Sequence, residues 1–149
     1  MDIKQKIFQA CLAQIDARIN TAQAAMKSAE ESAQSETKSS AGDKFETGRA
    51  MMQLEKEKNK VQLIKLMEQR QKLQNIPYAG AKDKVVSGSF VICNNGHYFI
   101  SIGLGKISFD GKSFVAVSPG APLFVKMRGM QKGDTLIFNN QQIEIIDIQ

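Results

Sequence analysis

Asp43 and Glu46 stand three residues apart in the stretch SSAGDKFETGRAMM, directly after a run of small residues and a glycine. Two chemistries suit that spacing. An Asp at a helix N-cap with a Glu three residues on forms a capping box, in which each side chain accepts a hydrogen bond from the other residue's backbone N–H. Acids there also complement the positive end of the helix dipole. Alternatively, the pair offers hard oxygen ligands to Mg2+, which commonly takes one or two carboxylates and leaves its other positions to water, substrate or another macromolecule. Two carboxylates alone do not complete a Mg2+ shell, so this second chemistry requires a partner. The local sequence favours the cap and leaves the metal open.

Other chemistry-bearing residues are sparse. His97 is the only histidine, so histidine-pair metal sites and histidine-containing triads have little to build on. Following a hairpin turn, it reads as an exposed polar residue. Gly103-Leu104-Gly105 lacks the third glycine and the following helix of a nucleotide loop. Cys93 is flanked by Val91, Ile92 and Phe99 in a strand pattern and reads as a buried core thiol. The Met51-Met52 pair reads as packing between helices.

The elements that must position the acids come in two kinds. From Phe8, apolar residues recur at Leu12, Ile15, Ile19, Ala22, Met26, Ala29 and Ala33, in alternating steps of four and three. This is a heptad seam, and its residues shrink toward the middle of the chain. Small seam residues predict a close approach of two helices in a slender pair. After the Ser39–Gly42 break, Ala50, Leu54, Val61 and Ile64 predict a second helical stripe, extended by Met67 and Leu73. Two helices of about 35 and 30 residues would each run about 45 to 50 Å. A short Ser/Gly break favours an antiparallel hairpin over a long parallel homodimer.

At Pro77 the period changes to about two. NIPYAGAKDK reads as a linker, and three hairpins follow, around Asn95-Gly96, Asp110-Gly111 and Asn139-Asn140. PLFVKMRGMQKGD predicts one short helix ending near Gly129. The expected architecture is α+β: an N-terminal antiparallel α-helical coiled-coil hairpin over 1–76, with its tip near 39–46, then a small antiparallel β domain over 77–149 with one short helix.

Composition sets outer bounds. In 149 residues there is room for one or two small domains, and no run approaches the roughly 20 apolar residues of a membrane span. The charged N-terminus lacks the apolar core of a signal peptide. Cys11 and Cys93 form no disulfide framework or zinc spacing, so a reducing cytoplasm is expected. The net charge of +5 is uneven. Residues 2–38 balance five bases against five acids, whereas 44–72 carry Lys44, Arg49, Lys56, Lys58, Lys60, Lys65, Arg70 and Lys72 against Glu46, Glu55, Glu57 and Glu68. A basic helix of this kind presents either a solvated face or a contact for nucleic acid or an acidic protein surface.

Together these residues resemble the Gre transcript-cleavage factors of bacterial RNA polymerase. That family joins a coiled-coil hairpin to an FKBP-like β domain. Its tip carries a Gly-Asp-x-x-Glu pattern, matched by Gly42, Asp43 and Glu46. Its C-terminal domain carries a Ser-Pro segment, a short helix, a Gly and a Gly-Asp, and Pro122, Gly129 and Gly133-Asp134 keep that spacing. The resemblance covers nearly the whole chain. It implies a monomeric cytoplasmic accessory factor, not itself an enzyme, that binds RNA polymerase and through it nascent RNA and DNA. Asp43 and Glu46 would hold a Mg2+ jointly with the polymerase during cleavage of backtracked RNA. Lys44 and Arg49 would contact RNA phosphate or polymerase, while Pro122 and Gly129 would lie in the docking segment.

Four positions depart from the family pattern. Lys44 and Thr47 stand where Leu and Asn are common, Ala121 replaces the usual Ser, and Phe124 replaces a small residue. A channel-occupying regulator that does not stimulate cleavage is therefore a second expectation, and a structural coiled-coil adaptor a third. A prolyl isomerase is disfavoured, because no Trp and only two Tyr are available to line a pocket.

Overall fold

The computed structural model describes residues 2–39 and 43–149; positions 33, 35–39 and 43–46 are described by backbone only. The expected tip near 39–46, including Gly42, thus lies largely outside the described residues. The fold is α+β, in the order α1 (Ile3–Ser39), α2 (Asp43–Gln74), β1 (Phe90–Cys93), β2 (Gly96–Ile100), β3 (Gly105–Phe109), β4 (Lys112–Val117), α3 (Pro122–Met127), β5 (Thr135–Phe138) and β6 (Gln141–Ile148). Among the described residues no helix is long and apolar enough to cross a membrane. Two compact units emerge: Met1–Gln14 with Arg70–Gln149, and Ile15–Gln69.

α1 starts with a complete capping box. The Gln5 N–H donates to Asp2 Oδ1 at 2.8 Å, and the Asp2 N–H donates to Gln5 Oε1 at 3.1 Å. Two orphan donors of the first turn are satisfied reciprocally. The heptad seam expected on α1 is inward: Phe8, Ile15, Ile19 and Ala22 are buried, with Leu12, Met26 and Ala29 half-buried.

The stripe expected on α2 is corrected. Ala50, Leu54, Val61, Ile64 and Met67 are exposed, and only Leu73 of that set is buried. The inward stripe is Gly48, Met52, Asn59, Leu63, Leu66 and Leu73. Its steps of 4, 7, 4, 3 and 7 keep a heptad register, but Glu55 and Asn59 interrupt its apolar signal. α2 therefore carries two seams, and the more continuous one in sequence faces outward.

The six strands form one sheet in the order β3-β4-β2-β1-β6-β5. Every neighbouring pair is antiparallel except β2–β4, where Tyr98, Phe99 and Ile100 run parallel to Val115, Ala116 and Val117. This corrects the expectation of a purely antiparallel domain: two antiparallel hairpins are set side by side, and the strands that meet share a direction.

Two of the three expected turns stand where the sequence places them. Asp110 and Gly111 have φ of 47° and 73°, and Asn139 and Asn140 have 50° and 62°. These are the paired positive values of tight hairpins, which Asn, Asp and Gly tolerate best. The first turn is shifted by one residue to Asn94-Asn95, with Cys93 paired to Gly96. The Asn94 side chain explains the shift. Its Oδ1 accepts from the Glu144 N–H at 2.9 Å and its Nδ2 donates to the Gln142 carbonyl at 3.4 Å, tying the turn to β6.

Alternation along the strands divides the core. Val91, Cys93, Ile100, Val117, Leu136, Ile143 and Ile145 cluster with Val85 and with Phe124 and Met127 of α3. The intervening positions supply an aromatic group in which Phe114 meets Phe90, Phe99 and Phe109 edge to face. The same unit includes the start of α1, where Phe8 stacks on Tyr78 with centroids 4.4 Å apart.

Candidate functional site

α2 begins at Asp43, and Glu46 falls in the same first turn. Residues three apart on a helix share a face, so the backbone places positions 43 and 46 in neighbouring register. The side chains of Asp43, Lys44 and Glu46 lie outside the described residues. Arg49, one turn further on, is exposed. Among the described residues no group of three or more His, Cys, Asp or Glu side chains could hold a metal ion.

Behind this start, Ala25, Ser28, Ala29 and Ser32 of α1 face Gly48, Met52, Glu55 and Asn59 of α2 across a groove of about 590 Å3. The small seam residue Ala29 lies in the lining of this groove. Alanine and serine opposite a polar Glu55 and Asn59 leave open space, with little apolar surface to draw the walls together. Of the Met51-Met52 pair, only Met52 is half-buried; Met51 is exposed at the groove's lip. Glu30 and Lys56 join the helices across 3.7 Å, a half-exposed ion pair that adds little stability.

The second candidate region surrounds α3. Pro122 is exposed at the first helical turn, where its missing N–H is no loss. Ala121 stands at the N-cap and supplies no side-chain cap. Phe124 points into the core with Met127 and is not part of the surface. Gly129 has φ of 81°, and its N–H donates to the Val85 carbonyl at 2.8 Å, closing α3 against the chain before β1. Asp134 Oδ2 accepts from the Gln131 N–H at 2.8 Å, so the Gly-Asp pair shapes the turn into β5. Val125 and Ile137 are exposed apolar residues of this surface, and Lys126 donates from α3 to the Ile137 carbonyl at 3.4 Å.

No protein-family model, curated protein or solved structure matches this chain. The candidate regions therefore rest on their own geometry.

Several notable groups carry no motif. Lys4 is only 6% exposed, and its Nζ donates to the Gly80 carbonyl at 3.0 Å. Burial lowers its pKa to about 8, with Lys82 nearby adding to the effect and Asp2 opposing it. Nothing in DIKQK distinguishes this lysine from Lys6, which lies exposed, 4.0 Å from Asp110. Only the folding-back of residue 80 does so. Burial pushes the Cys11 thiol up to about 12, against a smaller opposing effect of Ser101, and pushes Cys93 up to about 11. Both stay protonated and unreactive at neutral pH. Ser101 Oγ is buried without a full hydrogen bond. His97, expected to be exposed, is half-buried with its ring edge-on to Phe90 at 5.6 Å.

Lys4 gives a pH-dependent signature. Its folded pKa lies below the unfolded value, so the unfolded chain binds more protons between about pH 8 and 10.5. Its contribution must therefore become more favourable as pH rises through that window. Above pH 9 the two thiols act oppositely, since unfolding lets them ionise. Urea titrations from pH 7 to 9 should show wild type gaining stability relative to Lys4→Met. A pH-independent difference would contradict the burial of a charged Lys4.

Proposed function

We propose that this chain is a cytoplasmic, RNA-polymerase-binding elongation factor of Gre type, whose helices form an antiparallel coiled-coil hairpin that enters the polymerase's secondary channel. The β domain, read as FKBP-like, docks at the channel rim through the α3 region, where Pro122 is exposed and Gly129 sets the exit of the helix. The factor is monomeric and not itself an enzyme. It contacts nascent RNA and DNA through the polymerase complex, with Lys44 and Arg49 set to meet RNA phosphate or polymerase.

The observation that carries this reading is the start of α2. Helices of 37 and 32 residues are separated by a short break, and the second opens on Asp43 with Glu46 in its first turn. Two carboxylates on one face suit a hard cation and leave most of an octahedral Mg2+ shell to water and a partner. Mg2+ shared with the polymerase would supply charge neutralisation and an activated water. The chain's own contribution is to present the two carboxylates.

The test is transcript cleavage by stalled, backtracked polymerase in Mg2+, comparing wild type with Asp43→Ala/Glu46→Ala. The double variant should lose stimulated cleavage while retaining its fold and polymerase affinity. Capping alone would cost about 1 to 2 kcal/mol in thermal melting without abolishing cleavage at a permissive temperature. Failure of wild type to bind polymerase would leave the coiled-coil adaptor reading. Binding without cleavage would establish the second reading, a channel-occupying regulator. That reading is favoured by Lys44 and Thr47 beside the acids and by the uncapped Ala121 at α3.

A further inference from the structure

The outward face of α2 has no counterpart in the polymerase reading. Ala50, Leu54, Glu57, Val61, Ile64 and Glu68 follow steps of 4, 3, 4, 3 and 4, a second heptad seam on the same helix. Leu54, Val61 and Ile64 are 67%, 52% and 47% exposed, and Met51 and Met67 widen the apolar strip. At 100° per residue this seam lies on the side of α2 away from the half-buried Met52, Asn59 and Leu63 and the buried Leu66. A run of aliphatic side chains in heptad register on a helix already covered on its other side is what a further helix would bury.

The charges bordering the strip select the occupant. Lys58 and Lys65 follow seam positions Glu57 and Ile64 on one border, and Lys60 precedes Val61 on the other. Lys56 is engaged with Glu30 and does not join them. A second copy of α2 would bring lysine borders against lysine borders in either orientation, so self-pairing is opposed by charge. A nucleic acid would meet the lysines but leave Leu54, Val61 and Ile64 in water. A helix with an aliphatic seam and Glu or Asp on its borders satisfies both the strip and its rim. Glu57 and Glu68, standing within the seam, fix the register by requiring a polar or basic residue opposite.

We infer that the Ala50–Glu68 face of α2 is a docking strip for an acidic-bordered amphipathic helix belonging to another protein. It uses none of the acids at the start of α2, and its test does not require the polymerase reading to hold.

Two synthetic three-heptad peptides test it. They share one Leu/Ile seam and carry either Glu or Lys at the border positions, and each is titrated into the full chain by fluorescence anisotropy. The Glu peptide should bind at least about tenfold more tightly than the Lys peptide, and salt should weaken it. Leu54→Asp/Ile64→Asp should remove binding. Lys58→Glu/Lys65→Glu, which leaves the apolar strip intact, should reverse the peptide preference, and it keeps the test decisive if the aspartate variant loses helicity. Equal binding of both peptides, or binding of neither, overturns the inference. So does wild-type dimerisation in sedimentation that Leu54→Asp/Ile64→Asp abolishes, because a second copy would then be the occupant. Displacement of the Glu peptide by an RNA duplex whose own binding is insensitive to Leu54→Asp would overturn it in favour of nucleic acid.

Discussion

Replacing Gly88 by alanine is expected to destabilise the sheet-containing unit by about 2 to 5 kcal/mol, combining a left-handed backbone cost with a collision that side-chain movement does not relieve. Gly88 is buried at φ of 90°, and its N–H donates to the Ile100 carbonyl at 2.8 Å. A Cβ at this position would press into the Pro77 carbonyl oxygen and stand 2.8 Å from the Pro77 carbonyl carbon. The obstacle is backbone on both sides, so relief requires the 77–78 segment to move away from the start of the sheet. Two controls separate the terms. Gly80→Ala shares the positive φ, 79°, but meets open space, and should cost only about 1 to 2 kcal/mol. Gly103→Ala meets nothing closer than Ser118 Cβ at 3.7 Å and should be nearly neutral. Tyrosine fluorescence in urea reports this unit selectively, because the chain has no Trp and both tyrosines, Tyr78 and Tyr98, lie within it. Equal midpoints for Gly88→Ala and Gly80→Ala would show that Pro77 does not press on Gly88.

The second large effect is expected at Phe114. This β4 side chain is buried, and three rings meet it edge to face: Phe109 at 5.6 Å, Phe90 at 6.2 Å and Phe99 at 6.3 Å. Removing it takes away the ring that all three share, and its neighbours on β1, β2 and β3 are held by backbone ladders that resist collapse into the gap. Phe114→Ala should cost about 3 to 5 kcal/mol, transfer and cavity together. Phe114→Leu retains most of the volume and loses mainly the ring contacts, so its cost should be under about 2 kcal/mol. A loss below about 1 kcal/mol for the alanine variant would mean the aromatic group closes over the space, contrary to its pinned geometry.

Legibility in the sequence followed how local each feature's cause is. The Asp110-Gly111 and Asn139-Asn140 turns are dictated by the positive φ values of their own residues, so composition alone located them. Asn94-Asn95 could not be found that way, because the Asn94 amide is held by Gln142 and Glu144, some fifty positions downstream. The α1 seam was legible since it has no competitor. On α2 two seams compete, and the choice depends on a surface that only the folded chain presents. The parallel β2–β4 pairing is a matter of how hairpins are placed, which no local pattern encodes. For the candidate site, the two acids are singled out by sequence spacing alone, and the fold adds that α2 begins at Asp43, with position 46 in the same first turn. The α2 strip is visible in the sequence, but its spacing alone does not distinguish an outward from an inward face.

The hydrogen bond from Lys4 to Gly80 closes a span of 76 positions, and the Phe8–Tyr78 stack closes nearly as long a one. Both lie in the unit that unites the first turns of α1 with the sheet. In an unstructured chain, such closures carry a loop entropy that grows with the logarithm of the intervening length, and contacts of this kind form late. Helices form locally within microseconds. Once α1 and α2 have formed, most of that span is no longer flexible chain. Formation of the two helices therefore bears on assembly rate: a helix-breaking change in the part of α1 or α2 that belongs to the other unit is expected to slow completion of the sheet-containing unit without touching one residue of that unit's core.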